Sequence, residues 1–306
     1  MEVTSLIDHV KTTTGKGITT EWGLSLHVKC DDFSVLFDTG SSGHFMDNAT
    51  ALGINIKSVE LAVLSHGHYD HGGGLRSFLT ANSKPVVYMG KGADADLYAK
   101  LFGLKKYVGL EKEIFRLYRG RIRFLDETTE LRKGVFAIIP IRELYASPKG
   151  NRFLFRRRGS TLSPDDFSHE LALAVETEDG IVVFTGCSHH GTLNILAAVR
   201  DALPDRCIKA LFGGFHLVSL PLSCTLSEPK ESVRALGQEL LQSRVEKFYT
   251  SHCTGSKGFR ILKDIMGETL GYFSAGSKVR IKDSVWRWCS DTCNGGASWR
   301  KSHLGA

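Results

Sequence analysis

Between Ser65 and Gly74 the chain reads Ser-His-Gly-His-Tyr-Asp-His-Gly-Gly-Gly, which places His66, His68, Asp70 and His71 on one short loop. Three imidazoles and a carboxylate form a nitrogen and oxygen donor set of the kind that holds Zn²⁺ or a neighbouring divalent ion. The glycines that follow let the backbone bend close to such an ion. Alternate residues of an extended chain point the same way, so His66 and His68 are expected to serve one ion while Asp70 and His71 serve another. One loop cannot complete two coordination spheres. Further ligands must come from distant segments.

The candidates lie where apolar runs end. His189 stands in Thr185-Gly-Cys-Ser-His-His-Gly191, and His252 follows Val245-Glu-Lys-Phe-Tyr-Thr-Ser251. His216 follows Ile208-Lys-Ala-Leu-Phe-Gly-Gly214 and is expected at the rim as an acid, a base or a phosphate contact. His190, adjacent to His189, should point elsewhere. Cys187 can be a thiolate ligand, a bridging group or a small buried residue. Asp38 ends an earlier apolar run and is expected to orient a ligand histidine or the loop.

Two stretches match in length and pattern, and they position several of these residues. Leu24 to Phe37 alternates, turns at Asp31-Asp32 and exits through Asp38-Thr39-Gly40. Leu171 to Phe184 turns at Asp179-Gly180 and exits through Thr185-Gly186-Cys187. Each reads as a β-hairpin with a buried second strand, and together they suggest a duplicated half. Helical patterns at Gly191 to Leu203 and Lys230 to Ser243 separate later strands. The expectation is an α/β protein of two helix-covered sheets with active loops along one rim.

Roughly Lys91 to Ser168 differs in character. It carries Lys105-Lys106, the basic and aromatic run Phe115 to Phe124, and Arg156-Arg157-Arg158. An inserted region of strands and a loop near the rim is expected there, with an exposed, solvated hairpin as the plainer alternative.

Composition bounds the rest. The chain has 306 residues, 42% apolar and 24% charged, enough to bury a core without disulfide or metal. A net charge of +6 suits a small anionic substrate but offers little for a long polyanion, so nucleic acid is not expected as a partner. The first ten residues lack a signal-peptide pattern, and no run approaches a membrane span. Seven scattered cysteines fit a reducing compartment, so a cytoplasmic location is expected, with homo-oligomers open. Only Cys289 and Cys293 are spaced for a bridge or a loose pair of thiols. No Gly-x-Ser-x-Gly elbow or phosphate-binding Gly-x-x-x-x-Gly-Lys-Ser/Thr loop is present.

The paired hairpins, His66-x-His68-x-Asp70-His71 after a strand, and the later strand-end histidines resemble the metallo-β-lactamase fold superfamily. That resemblance implies an αββα four-layer sandwich over residues 1–285, with the insertion at about 91–168 and a tail at 286–306. Within the superfamily, Gly186-Cys-Ser-His189, Gly213-Gly-Phe-His-Leu217 and His252-Cys-Thr-Gly255 resemble the subgroup of 7,8-dihydropterin-6-methyl-4-(β-D-ribofuranosyl)aminobenzene-5′-phosphate synthase. Many superfamily hydrolases end the second hairpin with a metal-bridging aspartate where this chain has Cys187.

The resemblance implies one or two divalent ions, Zn²⁺ first and Fe or Mn as alternatives, held by His66, His68, Asp70, His71, His189 and His252. It implies a hydrolase acting on a phosphoester or ester through a metal-activated water, with Asp70 and His216 as catalytic residues. Basic and aromatic residues of the insertion would supply an anion- and ring-binding lid. The alternatives are a dihydropterin transferase that displaces diphosphate with an arylamine phosphate, and a metal-binding protein without turnover.

Overall fold

Ala172-Leu-Ala-Val175 has no polar side to turn toward water, so its strand must be covered on both faces. Ala172 and Ala174 join a core shared with helices, while Leu173 and Val175 join a core between two sheets. Leu61 and Val63 likewise face the inter-sheet core, and Ala62 and Leu64 face helices on the far side. Alternate residues of buried strands thus build three successive cores. The result is the expected αββα sandwich, described here by a computed structural model over residues 1–12, 17–218 and 225–281.

One sheet runs Lys278–Arg280, Glu2–Ile7, Ser25–Lys29, Ser34–Phe37, Leu61–Leu64, Val87–Gly90, Ile122–Leu125. The other runs Thr129–Arg132, Val135–Ile138, Ala172–Thr177, Gly180–Phe184, Ile208–Gly213, Lys247–Thr250, Leu270–Tyr272. In that order each sheet has three antiparallel pairings followed by three parallel ones. The sheets are copies of one another, strand for strand. The two hairpins inferred from sequence occupy equivalent places, with Leu26 opposite Phe37 and Leu173 opposite Phe184. Their terminal phenylalanines meet across the sandwich with ring centroids 6.0 Å apart. Helices His44–Ala51 and Leu75–Ala81 cover the first sheet, and Thr192–Ala202, Lys230–Gln242 and Gly255–Met266 cover the second.

The stretch expected as one insertion divides in three. Val135–Ile138 lies second from the edge of one main sheet, and Ile122–Leu125 and Thr129–Arg132 are the edge strands of the two main sheets. Their half-exposed alternation resembles that of the truly added strands, because an edge strand buries little more than an excursion does. The added part is a four-stranded sheet, in the order Thr161–Pro164, Leu154–Arg158, Leu97–Leu101, Leu104–Tyr107, which packs through Leu97, Val108, Leu154 and Phe167. Arg121 donates to Leu79 O at 2.8 Å and Pro85 O at 3.0 Å, so it braces the end of a helix. Arg156 and Arg158 pair with Asp166, and Arg157 lies 3.9 Å from Asp96. Arg156, Arg157 and Arg158 thus face carboxylates of their own region.

Among the described residues no helix is long and apolar enough to cross a membrane. Cys289 and Cys293 lie outside the described residues.

Phe184 stacks on Phe212 at 5.4 Å and is fully buried between the sheets. Phe184→Ala should lower stability by about 3–5 kcal/mol through lost transfer energy and the cavity left behind. The check is a urea titration, where the midpoint falls and the slope is unchanged.

Candidate metal centre

The site begins with a carboxylate. Asp38 leaves the Ser34–Phe37 strand with φ at +60°, a left-handed conformation that turns its side chain toward the neighbouring strand exit. Its Oδ1 accepts the Ser65 N–H at 2.7 Å, and its Oδ2 accepts the Ser65 hydroxyl at 2.8 Å and the His71 Nδ1–H at 2.6 Å. The last bond commits His71 to one tautomer and aims its Nε2 at Cys187 Sγ, 3.2 Å away. Asp38 therefore orients a histidine and the loop, as its place in the sequence suggested.

The loop itself turns from extended His68 into a single helical turn, Tyr69–Gly72. That change separates the donors into two groups. His66 Nε2 lies 3.0 Å from His68 Nδ1 and 3.3 Å from His189 Nε2. Asp70 Oδ2 lies 3.2 Å from His252 Nε2 and 4.0 Å from His71 Nε2. Donor atoms of Asp70, His71, Cys187 and His252 all fall within 4.8 Å of one another, as do those of His66, Cys187 and His189. The sulfur of Cys187 is common to both groups. His66 thus neighbours His68, and Asp70 neighbours His71.

The two halves approach closely enough here to require glycine. A Cβ on Gly186 would sit 2.2 Å from Ser65 Oγ and 3.0 Å from His66 Nδ1. Each donor group therefore draws on both halves of the molecule.

These residues fit a bound cation. His66, His68, His71, His189 and His252 are all buried. Among the described residues His68 Nε2 and His252 Nδ1 have no hydrogen-bond partner, although such groups cost about 1–3 kcal/mol when left unsatisfied. Burial and the neighbouring imidazoles hold His66 and His189 well below the ordinary histidine value. Burial also brings His68 down to about 4. These rings are neutral at pH 7, the form that binds a metal. Burial disfavours the charged forms of Asp70 and His71 too, but their mutual attraction prevails. With Asp38 it raises His71 to about 9, and with His252 it keeps the Asp70 carboxyl below the usual carboxylate range. In His71 a proton occupies the place a cation would take.

Other predicted residues fall as follows. His190 turns away to Glu170 Oε2 at 2.8 Å. His216 is buried behind His189, with ring centroids 4.3 Å apart, and a side chain at position 150 would meet its Nε2 at 2.9 Å. It is enclosed, not at the open rim expected from its strand-end glycines, because the turn at Gly150 closes over it.

Several neighbours escaped sequence reasoning. Glu170 accepts the N–H groups of His189 at 2.6 Å and His190 at 2.8 Å, which fixes the second-hairpin exit. Asp8 accepts the His252 N–H at 2.9 Å and holds that residue at φ +50°. His169 takes the Gly67 N–H at 3.2 Å, and Phe167 stacks on His189 at 4.3 Å with rings 5° from parallel. Asp8-His9 after the first strand and His169-Glu170 before the second hairpin were the available signals.

The family model of the metallo-beta-lactamase superfamily matches residues 28–252. The chain is 26% identical over 258 residues to 7,8-dihydropterin-6-methyl-4-(beta-D-ribofuranosyl)-aminobenzene-5'-phosphate synthase of Methanocaldococcus jannaschii, covering 81% of this chain and 84% of that protein. Among solved structures, a metal-dependent hydrolase of the beta-lactamase superfamily is 30% identical with a TM-score of 0.75, covering 92% of this chain and all of the other. The Zn²⁺-bound PqqB from Methylobacterium extorquens shares the fold at 11% identity and a TM-score of 0.55, with 92% of this chain and 100% of that one covered. With the donor-bearing turns inside the matched region, this chain belongs to the metallo-β-lactamase superfamily.

Proposed function

We propose that this protein is a divalent-metal-dependent hydrolase that cleaves a phosphoester or ester bond of a small anionic molecule. The observation that carries the reading is the pair of buried donor groups meeting at Cys187. His66, His68 and His189 would hold one cation, and Asp70, His71 and His252 a second, with the Cys187 sulfur between them. The mixed nitrogen, oxygen and sulfur donors favour Zn²⁺, with Fe and Mn as alternatives. Cations so held supply Lewis-acid polarisation of a phosphoryl or carbonyl oxygen and acidify water at the site.

The protein's own groups set the geometry. Asp70, an acceptor-only group when ionised, orients the attacking water by taking one of its hydrogen bonds. Asp38 keeps His71 in the tautomer whose Nε2 faces the site. Phe167 walls His189 on one side and limits water there. His216, expected from sequence as an acid or base, is enclosed behind His189 and carries no proton step in this reading. Unpaired Cys187 and Cys253 support a reducing, cytoplasmic setting.

A second reading is favoured by the similarity to the dihydropterin-linked synthase over 84% of that protein's length. The same donors would then serve a transferase in which an arylamine phosphate displaces diphosphate from a dihydropterin. The discriminating assay follows diphosphate release from 6-hydroxymethyl-7,8-dihydropterin diphosphate, with and without the arylamine phosphate, beside turnover of a simple phosphodiester. Release that requires the acceptor establishes the transferase. Release without it, or phosphodiester turnover alone, establishes the hydrolase.

Two variants test the residue roles. Asp70→Ala should lower kcat/KM by more than about a hundredfold; wild-type rates on every substrate would leave a metal-binding protein without catalysis. Asp38→Asn should weaken metal affinity about 10–100-fold in competition with a chelator, because His71 loses its charged partner. Unchanged affinity would remove Asp38 from the orienting role.

A further inference from the structure

His216, Cys187 and Cys253 form another convergence, which shares only Cys187 with the two groups assigned above. One ring nitrogen and two sulfurs lie within 4.8 Å of one another, and all three side chains are buried. Neither cysteine is in a disulfide. The backbone fixes the arrangement: His216 is held left-handed at φ +49°, and its N–H points at Cys253 Sγ, 3.3 Å away. Gly214 admits the sulfur, since a Cβ there would sit 2.4 Å from it.

The second observation is the imidazole itself. Neither nitrogen of the His216 ring has a hydrogen-bond partner among the described residues, although the residue is only 3% exposed. Buried polar atoms are nearly always satisfied, and an orphan ring costs about 1–3 kcal/mol. Two thiols at the same spot are weak hydrogen-bonding partners but strong ligands once deprotonated.

We propose that Cys187, His216 and Cys253 form a third site, adjoining the other two through the Cys187 sulfur, for a thiophilic cation, Zn²⁺ first. Zinc bonds of about 2.3 Å to sulfur and 2.0–2.1 Å to nitrogen place tetrahedral ligand atoms about 3.5–4 Å apart, inside the spread seen here. Binding releases the Cys253 thiol proton to solvent, with that of Cys187 where a neighbouring cation has not already displaced it. The donor set is richer in sulfur than either of the other groups, and Cys253 and His216 belong to neither of them. Cys187 sulfur would bridge to the catalytic pair. The site is closed over by the turn at Gly150, which marks it as structural: it ties the exits of Ile208–Gly213 and Lys247–Thr250 to the exit of the second hairpin.

The inference stands on donor geometry and does not require the proposed hydrolysis. Zinc content per folded chain, measured by native mass spectrometry, tests it. Cys253→Ser should lose one zinc relative to the wild type and keep the others. The double variant His66→Ala with Asp70→Ala should retain one zinc, which adding Cys253→Ser then removes. Cadmium NMR of the wild-type chain needs no variant and should show one resonance displaced toward the position of two-thiolate ligation. Equal zinc content in Cys253→Ser and wild type, or cadmium resonances only of nitrogen, oxygen and single-thiolate type, would overturn the proposal. Absent turnover with the Cys253-dependent zinc intact would count against the hydrolase alone.

Discussion

A buried carboxylate at the end of one strand governs the donor arrangement. Asp38 takes a backbone N–H, a hydroxyl and an imidazole N–H, so the exit of one strand, the start of the next loop and the orientation of His71 are set together. An ionised carboxylate cut off from water is costly unless its lone pairs are used. Here three donors use them, and the chain has little freedom to place Ser65 or His71 elsewhere. Rotating His71 would break the shortest of the three bonds and withdraw its Nε2 from Cys187.

Around that anchor, the copied sheets explain why the donors converge. Each sheet turns from antiparallel to parallel pairing at the same point, and the strand exits beyond that point face each other across the sandwich. Asp38, Ser188, His216 and His252 all leave such exits in left-handed conformations that non-glycine residues seldom adopt. Backbone strain is thus concentrated at the turns that carry the chemistry, and hydrogen bonds from the His252 and His216 N–H groups to Asp8 and Cys253 hold two of them there.

Much of this was legible in the sequence, for reasons that differ by residue. His66, His68, Asp70 and His71 are contiguous, so their type and spacing were enough. His189, His252 and Cys187 follow buried runs, and the matched hairpins gave the layer order. Glu170, Asp8 and Cys253 were not legible as site residues, because their roles are backbone hydrogen bonds or sulfur contacts across the sandwich. His216 was assigned to the rim because the turn that covers it, at Gly150, lies far away in sequence. The division of 91–168 was hidden by edge strands whose pattern matches that of an excursion.

Because each donor group spans both halves, synthesis of the chain imposes an order on the site. The histidine-rich loop leaves the ribosome early, while Cys187, His189 and His252 emerge only with the later strands. Until then the nascent chain carries the imidazoles and carboxylate of that loop without the sulfur that the two groups share. The second half brings the sulfur and the remaining imidazoles, which complete both donor groups. The last donor of the two groups to appear is His252, so its group is complete only after the strand Lys247–Thr250 has been made.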